Sequence, residues 1–252
     1  MKKIVFITGA TAGFGEACAH TFASNGYAVI LNGRRQDRLS TLAQALEAQY
    51  GVQTLQLPFD VQDGAAVASA IATLPNDWQS IDVLINNAGL ALGRDLFQDA
   101  DLQDWETMLD TNVKGLLYVS KAVVPGMISR GRGQIINIGS IAGKQVYERG
   151  NVYCASKHAV DALTKGMRID LLPHGIKVTA IHPGAADTEF STVRFKGNEE
   201  AASKVYEGFE PLHAQDVADL AYYTTTLPPH VCINDLVVTC TRQADAHYLN
   251  KA

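Results

Sequence analysis

Tyr153 and Lys157 stand four residues apart in a segment of helical pattern, with Ser140 shortly upstream. A helix puts residues i and i+4 on one face, so the phenol and the ammonium point the same way. Free tyrosine titrates near about 10 and exchanges protons poorly at neutral pH. A cation held close favours the phenolate, and a shift of about three units takes about 4 kcal/mol. The result is an acid/base group suited to interconverting an alcohol and a carbonyl. The same spacing is common among ordinary surface residues, so its meaning rests on the elements that position it.

Those elements begin at the N-terminus. Ile4-Val5-Phe6-Ile7 is an apolar run suited to a strand buried on both faces. It leads into Thr8-Gly9-Ala10-Thr11-Ala12-Gly13-Phe14-Gly15, then a helical stretch from Glu16 to Ser24 stopped by Asn25-Gly26. Strand, glycine-rich turn and helix in that order open a dinucleotide site, where glycines allow backbone to approach pyrophosphate and the helix N-terminus faces the negative charge. The spacing Gly-x-x-x-Gly-x-Gly is a variant of the commoner fingerprint. Gly9, Thr11, Gly13, Phe14 and Gly15 are the candidate contacts; a turn without ligand is the competing reading.

The pattern then alternates: strand Tyr27 to Asn32, helix Gln36 to Gln49, strand Val52 to Leu57, helix Ala65 to Leu74, strand Ile81 to Ile85. One long helix is expected from about Leu102 to Ile128, then strand Gln134 to Ile138, the helix of Tyr153, and strand Lys177 to His182. Ala214 to Thr225 and Val231 to Thr239 supply a last helix and strand. Repeated βα units with apolar strands imply an α/β, doubly wound parallel sheet covered by helices on both faces. Ligands of such sheets bind at the carboxyl ends of the strands. The glycine turn, Asn86, Ser140 and Pro183-Gly184 all follow strands at that edge.

With 252 residues, 47% apolar and 19% charged, the chain can bury one core, and 1–252 reads as a single domain. A formal charge of −5 and a pI of 5.8 argue against a nucleic-acid or anionic-membrane surface. The absence of a long apolar run is the basis for expecting a soluble, cytoplasmic protein. Cys18, Cys154, Cys232 and Cys240 lack metal-ligand spacing and read as reduced thiols; no metal is expected.

Thr8-Gly-x-x-x-Gly-x-Gly15, Asn86-Asn87-Ala88-Gly89, Asn112, Ser140, Tyr153-x-x-x-Lys157 and Pro183-Gly184, in this order, resemble the short-chain dehydrogenases/reductases over essentially the whole chain. The resemblance implies a single Rossmann-type domain of about seven strands, assembled as a homodimer or homotetramer. It implies that Tyr153 passes a proton to the substrate oxygen and that Lys157 lowers the phenol's pKa and bonds the nicotinamide ribose. Ser140 would bond the carbonyl oxygen, and Asn112 would mark a helix distortion holding a water beside Lys157. Asn87, Ala88 and Gly89 would brace the sheet beside the coenzyme. Asp60 would cap the adenine end with Val61 on the ring, a helix N-cap being the other reading of Asp60. Pro183, Gly184 and Thr188 would face the nicotinamide carboxamide.

Coenzyme choice is read at the end of the second strand, Leu31-Asn32-Gly33-Arg34-Arg35, where no acid appears until Asp37. An acid there favours NAD, whereas arginine offers a fork for a 2′-phosphate, so Arg34 and then Arg35 favour NADP(H). The alternative is two arginines opening a solvated helix.

The long segment of about 184–211 is expected to be an irregular lid over the site. Within it, Thr188 to Gly197 resembles NADP-dependent 3-hydroxy acid dehydrogenases, including serine 3-dehydrogenases, as do Gly150-Asn151-Val152-Tyr153 and Leu227-Pro228-Pro229-His230-Val231. The implied substrate is a short hydroxy acid of serine or 3-hydroxypropanoate type, bound by Ser140, Tyr147, Arg149, Tyr153 and Arg194. Arg194 could clamp the carboxylate bidentately, or face solvent or a coenzyme phosphate. Lys144 to Arg149 and Ala185-Ala186-Asp187 depart from the subgroup's pattern at positions expected to border the substrate pocket. The rivals are a carbonyl reductase for neutral ketones or aldehydes, a non-catalytic dinucleotide-binding protein, and a methyltransferase, which leaves the Ser-Tyr-Lys set unexplained.

Overall fold

The computed structural model describes residues 2–251. The elements run β1 (Ile4–Ile7), α1 (Gly13–Ser24), β2 (Ala28–Gly33), α2 (Gln36–Tyr50), β3 (Thr54–Pro58), α3 (Gly64–Ala72), β4 (Ile81–Asn86), α4 (Leu102–Leu109), α5 (Leu116–Arg130), β5 (Gly133–Ile138), α6 (Asn151–Leu171) and β6 (Ile176–Pro183). The segment above the sheet holds β7 (Ala186–Asp187), α7 (Glu189–Arg194), α8 (Glu199–Ser203) and β8 (Leu212–His213); α9 (Ala214–Thr226) and β9 (Asp235–Val238) follow. Seven strands pair in the order β3-β2-β1-β4-β5-β6-β9, all in parallel.

Strand alternation divides the core. Val5, Ile7, Val29 and Leu31 join Cys18, Ala19 and Phe22 of α1, Leu39 and Leu42 of α2 and Val217 of α9 on one face. Ile4, Phe6, Ala28 and Ile30 join Val67 of α3 and Val119, Val123 and Met127 of α5 on the other. Successive side chains of a strand point to opposite faces, so an unbroken apolar run is what two covered faces require. The chain order reverses between β1 and β4, which opens the crevice where such sheets take ligands.

Three expected elements differ. The helix of 102–128 is broken by a π-helical turn over Asp110–Gly115, the distortion at Asn112 that the resemblance implied. The last strand is confined to Asp235–Val238, since as an edge strand it has only β6 to pair with. The lid is not wholly irregular, carrying α7 and α8 and the two-residue pairing of β7 with β8. No helix among the described residues is long and apolar enough to cross a membrane.

Candidate active site

The two turns at the switch point are bolted together. Thr8 Oγ1 accepts from the backbone N–H of Asn87 and of Ala88, each at 3.0 Å. The Asn87 amide donates back to the carbonyls of Thr8 at 2.9 Å and Gly9 at 3.0 Å. Gly9 and Gly13 take φ of +63° and +55°, a region that β-carbons disfavour. A Cβ on Gly15 would run into the Gly9 carbonyl and the Asn87 amide. The turn is therefore drawn in to leave a cradle of backbone above α1. The cleft it opens has a volume of about 520 Å³, within the range of cofactor sites. Gly9, Thr11, Gly13, Phe14, Asn87, Ala88, Gly89, Pro183, Gly184 and Thr188 all line it; Gly15 does not, being packed against Gly9 and Asn87.

Ser140, Tyr153 and Lys157 meet in the same cleft. Tyr153 and Lys157 are buried on α6, and the Ser140 hydroxyl, which accepts from the Ala142 N–H at 3.1 Å, stands near enough to the phenol to favour its ionised form. Lys157 Nζ donates to the Ile138 carbonyl at 2.9 Å, and burial lowers its pKa to about 8. The expected lowering of the phenol by Lys157 is not what the geometry produces. Burial pushes the Tyr153 pKa up, the neighbouring Tyr147 adds to this, and the Ser140 hydroxyl and the Arg194 charge oppose it. The ammonium gives one of its three N–H groups to the Ile138 carbonyl, and its charge is itself disfavoured by burial.

Asn112 sits in the π-helical turn, fully enclosed. Its Oδ1 accepts from the Leu90 N–H at 2.8 Å, and its Nδ2 donates to the Leu90 carbonyl at 2.8 Å and to Ser156 Oγ at 3.0 Å. These bonds compete with regular helix and fix the loop after β4; Gly89 brings that loop against Asn112 and Lys157. Both N–H groups of the amide are thus committed to protein groups, while its oxygen keeps a second lone pair.

At the far end, Arg194 of the lid reaches back over Tyr153. Its guanidinium carbon lies 5.5 Å from the Tyr153 ring centroid and 5.7 Å from that of Tyr147, and Nη1 donates to the Tyr147 hydroxyl at 3.1 Å. Burial raises the Tyr147 pKa against the pull of this charge. Arg94 lines the same end, and its pKa is lowered by partial burial and then by the repulsion of Arg194. Sequence reasoning missed Arg94; its only signal was a cation in the irregular stretch following Asn-Asn-Ala-Gly. It also missed Gln243 and Ala246, which fold back to line the cleft, Gln243 Oε1 accepting from the Ala185 N–H at 2.8 Å.

Two expectations for this end fail. Arg149 lies outside the cleft lining, at φ +60° and half exposed, with its nearest acid the adjacent Glu148 at 3.8 Å. Lys144 does not border the substrate either. Its ammonium holds Asp161 at 2.8 Å and Asp235 at 2.5 Å, beneath Ser140. His182, fully buried, is within hydrogen-bond distance of the Ser140 backbone through Nδ1 and 3.1 Å from Asp235 through Nε2. Asp161, His182 and Asp235 have the spacing of metal ligands, but the ammonium already stands between the two carboxylates.

At the opposite end, Arg34 and Arg35 line the cleft where β2 ends. Arg34 is mostly exposed and lies 3.5 Å from Asp60. Asp60 is not a helix cap: it accepts from the Gln62 N–H at 3.0 Å, and Asp63 caps α3 through the N–H groups of Ala65 and Ala66. Val61 is buried against Gly115. Thr188 caps α7 by accepting from the Phe190 N–H at 3.2 Å and packs on Gly13. An acid absent from the β2 sequence reaches this end from the lid: Glu189 pairs with Arg35 at 3.3 Å and Arg38 at 2.7 Å.

Comparison with known proteins agrees with this architecture. Residues 3–199 match the family described as short chain dehydrogenase. The chain is 48% identical over 96% of its length to the "NADP-dependent 3-hydroxy acid dehydrogenase YdfG" of Salmonella typhi, covering 97% of that protein. It is 49% identical over 97% of its length to "Sulfoacetaldehyde reductase 2" of Chromohalobacter salexigens, covering 96% of it. The solved closed form of a serine dehydrogenase complexed with NADP+ superposes with a TM-score of 0.92 at 46% identity, covering 99% of both chains. A shared glycine turn alone leaves the chemistry open, but a match of this extent and depth does not: the chain belongs to the short-chain dehydrogenase family.

Proposed function

We propose that the protein is an NADP-dependent oxidoreductase that interconverts a small 3-hydroxy acid and the corresponding oxo acid or semialdehyde. The observation that carries the reading is the Arg194 guanidinium over the ring of Tyr153, which sets a cation beside the tyrosine expected to exchange the proton. A carboxylate on that guanidinium presents its β-carbon oxygen to Tyr153 and Ser140, and charge-assisted forks of this kind orient as well as bind. The positive-φ cradle of Gly9 and Gly13 fits a pyrophosphate, and Arg34 and Arg35 fit a 2′-phosphate. When bound, the coenzyme delivers or takes up the hydride and, oxidised, brings a positive charge into the cleft. Tyr153 then donates the proton to the substrate oxygen in reduction and takes it back in oxidation. Ser140 holds that oxygen while charge develops on it. Lys157, with a pKa of about 8, is poised to carry the proton onward.

Arg94 beside Arg194 favours a second reading within the same chemistry. Two guanidinium groups suit an anion with three acceptor oxygens, as in a sulfonated aldehyde, and a relative named for that activity is 49% identical. A homodimer or homotetramer belongs to the same proposal, supported by exposed Leu102, Ile169 and Leu172 on the outer faces of α4 and α6 and the turn after α6.

The test is a screen of NADP+ reduction and NADPH oxidation over 3-hydroxy carboxylates, sulfoacetaldehyde and neutral alcohols and carbonyls. Arg194→Met is expected to lower kcat/KM for the preferred acid by about a hundredfold and for neutral substrates by less than about threefold. Equal losses on both would favour the neutral carbonyl reductase. Arg34→Ala is expected to raise KM for NADPH about tenfold and leave that for NADH within about twofold. Equal effects on the two coenzymes would remove the assignment of Arg34.

A further inference from the structure

Glu189 opens the lid helix α7, yet its carboxylate is held at the other end of the cleft. Oε1 accepts from Arg38 Nη1 at 2.7 Å, and Oε2 from Arg35 Nη1 at 3.3 Å and Nη2 at 3.4 Å. Arg35 Nη2 also donates to Thr11 Oγ1 at 3.0 Å, which ties the arrangement to the glycine turn. Glu189, Arg35 and Thr11 all line the coenzyme cleft. The side chains of Arg35, Arg38 and Glu189 are 43%, 44% and 48% exposed. Ion pairs so exposed are individually weak and screened by salt, so a stronger anion can exchange them. A phosphate monoester is such an anion, with a charge of about −1.5 to −2 and three strong acceptor oxygens.

We propose that Glu189 is a counter-ion that the coenzyme's 2′-phosphate displaces from Arg35, which makes this lid residue a determinant of coenzyme affinity and selectivity. The inference rests on the NADP reading above. Glu189 opposes the phosphate in two ways: it neutralises the guanidinium groups before binding, and its like charge repels the phosphate afterwards. A coenzyme without the 2′-phosphate leaves the ion pairs intact and is indifferent to them. Because Glu189 adjoins Thr188, the contact that packs on Gly13, its release from Arg35 also loosens the lid's attachment at the adenosine end. The ion pair of Lys196 with Asp104, at 2.9 Å, keeps the lid anchored on the substrate side.

The experiment is equilibrium fluorescence titration of the full chain with NADPH, NADH and 2′,5′-ADP, comparing wild type with Glu189→Gln and Glu189→Ala. Removing the carboxylate is expected to tighten NADPH and 2′,5′-ADP by about fivefold and to leave NADH within about twofold. The NADPH affinity of both variants should also fall more steeply with salt, since the site is more positive. Wild type that prefers NADPH, together with variants that bind it no tighter or more weakly, would overturn the proposal alone. Wild type that binds NADH as tightly as NADPH would overturn the coenzyme reading and this proposal with it. Equal tightening of NADH and NADPH would assign Glu189 to lid closure rather than to the phosphate, and overturn it too.

Discussion

Tyr153→Phe is expected to lower kcat about a thousandfold while leaving NADPH affinity within about twofold of wild type. Phenylalanine keeps the buried ring, its contact with Phe190 at a centroid separation of 5.6 Å and the guanidinium of Arg194 over it. What is lost is one hydroxyl, close to Ser140 and facing the cleft. Loss of one neutral hydroxyl costs at most about 1 kcal/mol, so the fold survives and the melting temperature moves little. The separation of the two readouts is the point, because a merely structural tyrosine would change stability and binding along with rate. Steady-state kinetics beside a coenzyme titration decide it, and a variant keeping a tenth of the activity would remove Tyr153 as the proton donor.

Lys157→Met should make the protein more stable at neutral pH even as it loses activity by about a hundredfold. Burial brings the Lys157 pKa from 10.5 down to about 8, a charged-state cost of about 3 kcal/mol. Methionine fills the same channel without charge, but it leaves the Ile138 carbonyl without its donor, which returns about 1 kcal/mol. The variant should therefore exceed wild type by about 2 kcal/mol at pH 7. The sign follows from proton binding. Between about pH 8 and 10.5 the folded amine has lost its proton while the unfolded one keeps it. Unfolding then takes up a proton, so wild-type stability rises with pH across that window and the variant's does not. Denaturant titrations at pH 7 and pH 9.5 should show the gap narrowing. A gap that stays constant, or a variant less stable at both values, would contradict the buried charged amine.

The sheet was legible because its signals are local. The run Ile4–Ile7 is apolar on every residue and Val83-Leu84-Ile85 supplies the same signal in β4, as double-sided burial demands, and the helices between them repeat at the other period. The glycine turn was equally plain, since positive φ at Gly9 and Gly13 restricts residue type at the positions themselves. The π-helical turn at Asp110–Gly115 was not visible as such in the residue pattern, because it is stabilised by bonds from Asn112 to Leu90 and Ser156, 22 and 44 positions away. Asp60 and Asp63 carry equal capping propensity, and only the path of the chain into α3 chose Asp63.

Residue types and order thus determined by themselves the α/β scaffold, the coenzyme cradle and the Ser140, Tyr153 and Lys157 set. Tertiary structure alone decided the charges around that set. It turned Lys144 inward onto Asp161 and Asp235, left Arg149 outside the cleft, set Arg194 over Tyr153 and carried Glu189 to Arg35. It also reversed the expected direction of the Tyr153 shift. The physical reason is range: backbone preference and burial period act over a few neighbouring residues, whereas charge energies depend on distance and dielectric. Both are set only when segments as far apart as positions 35 and 189 are packed together.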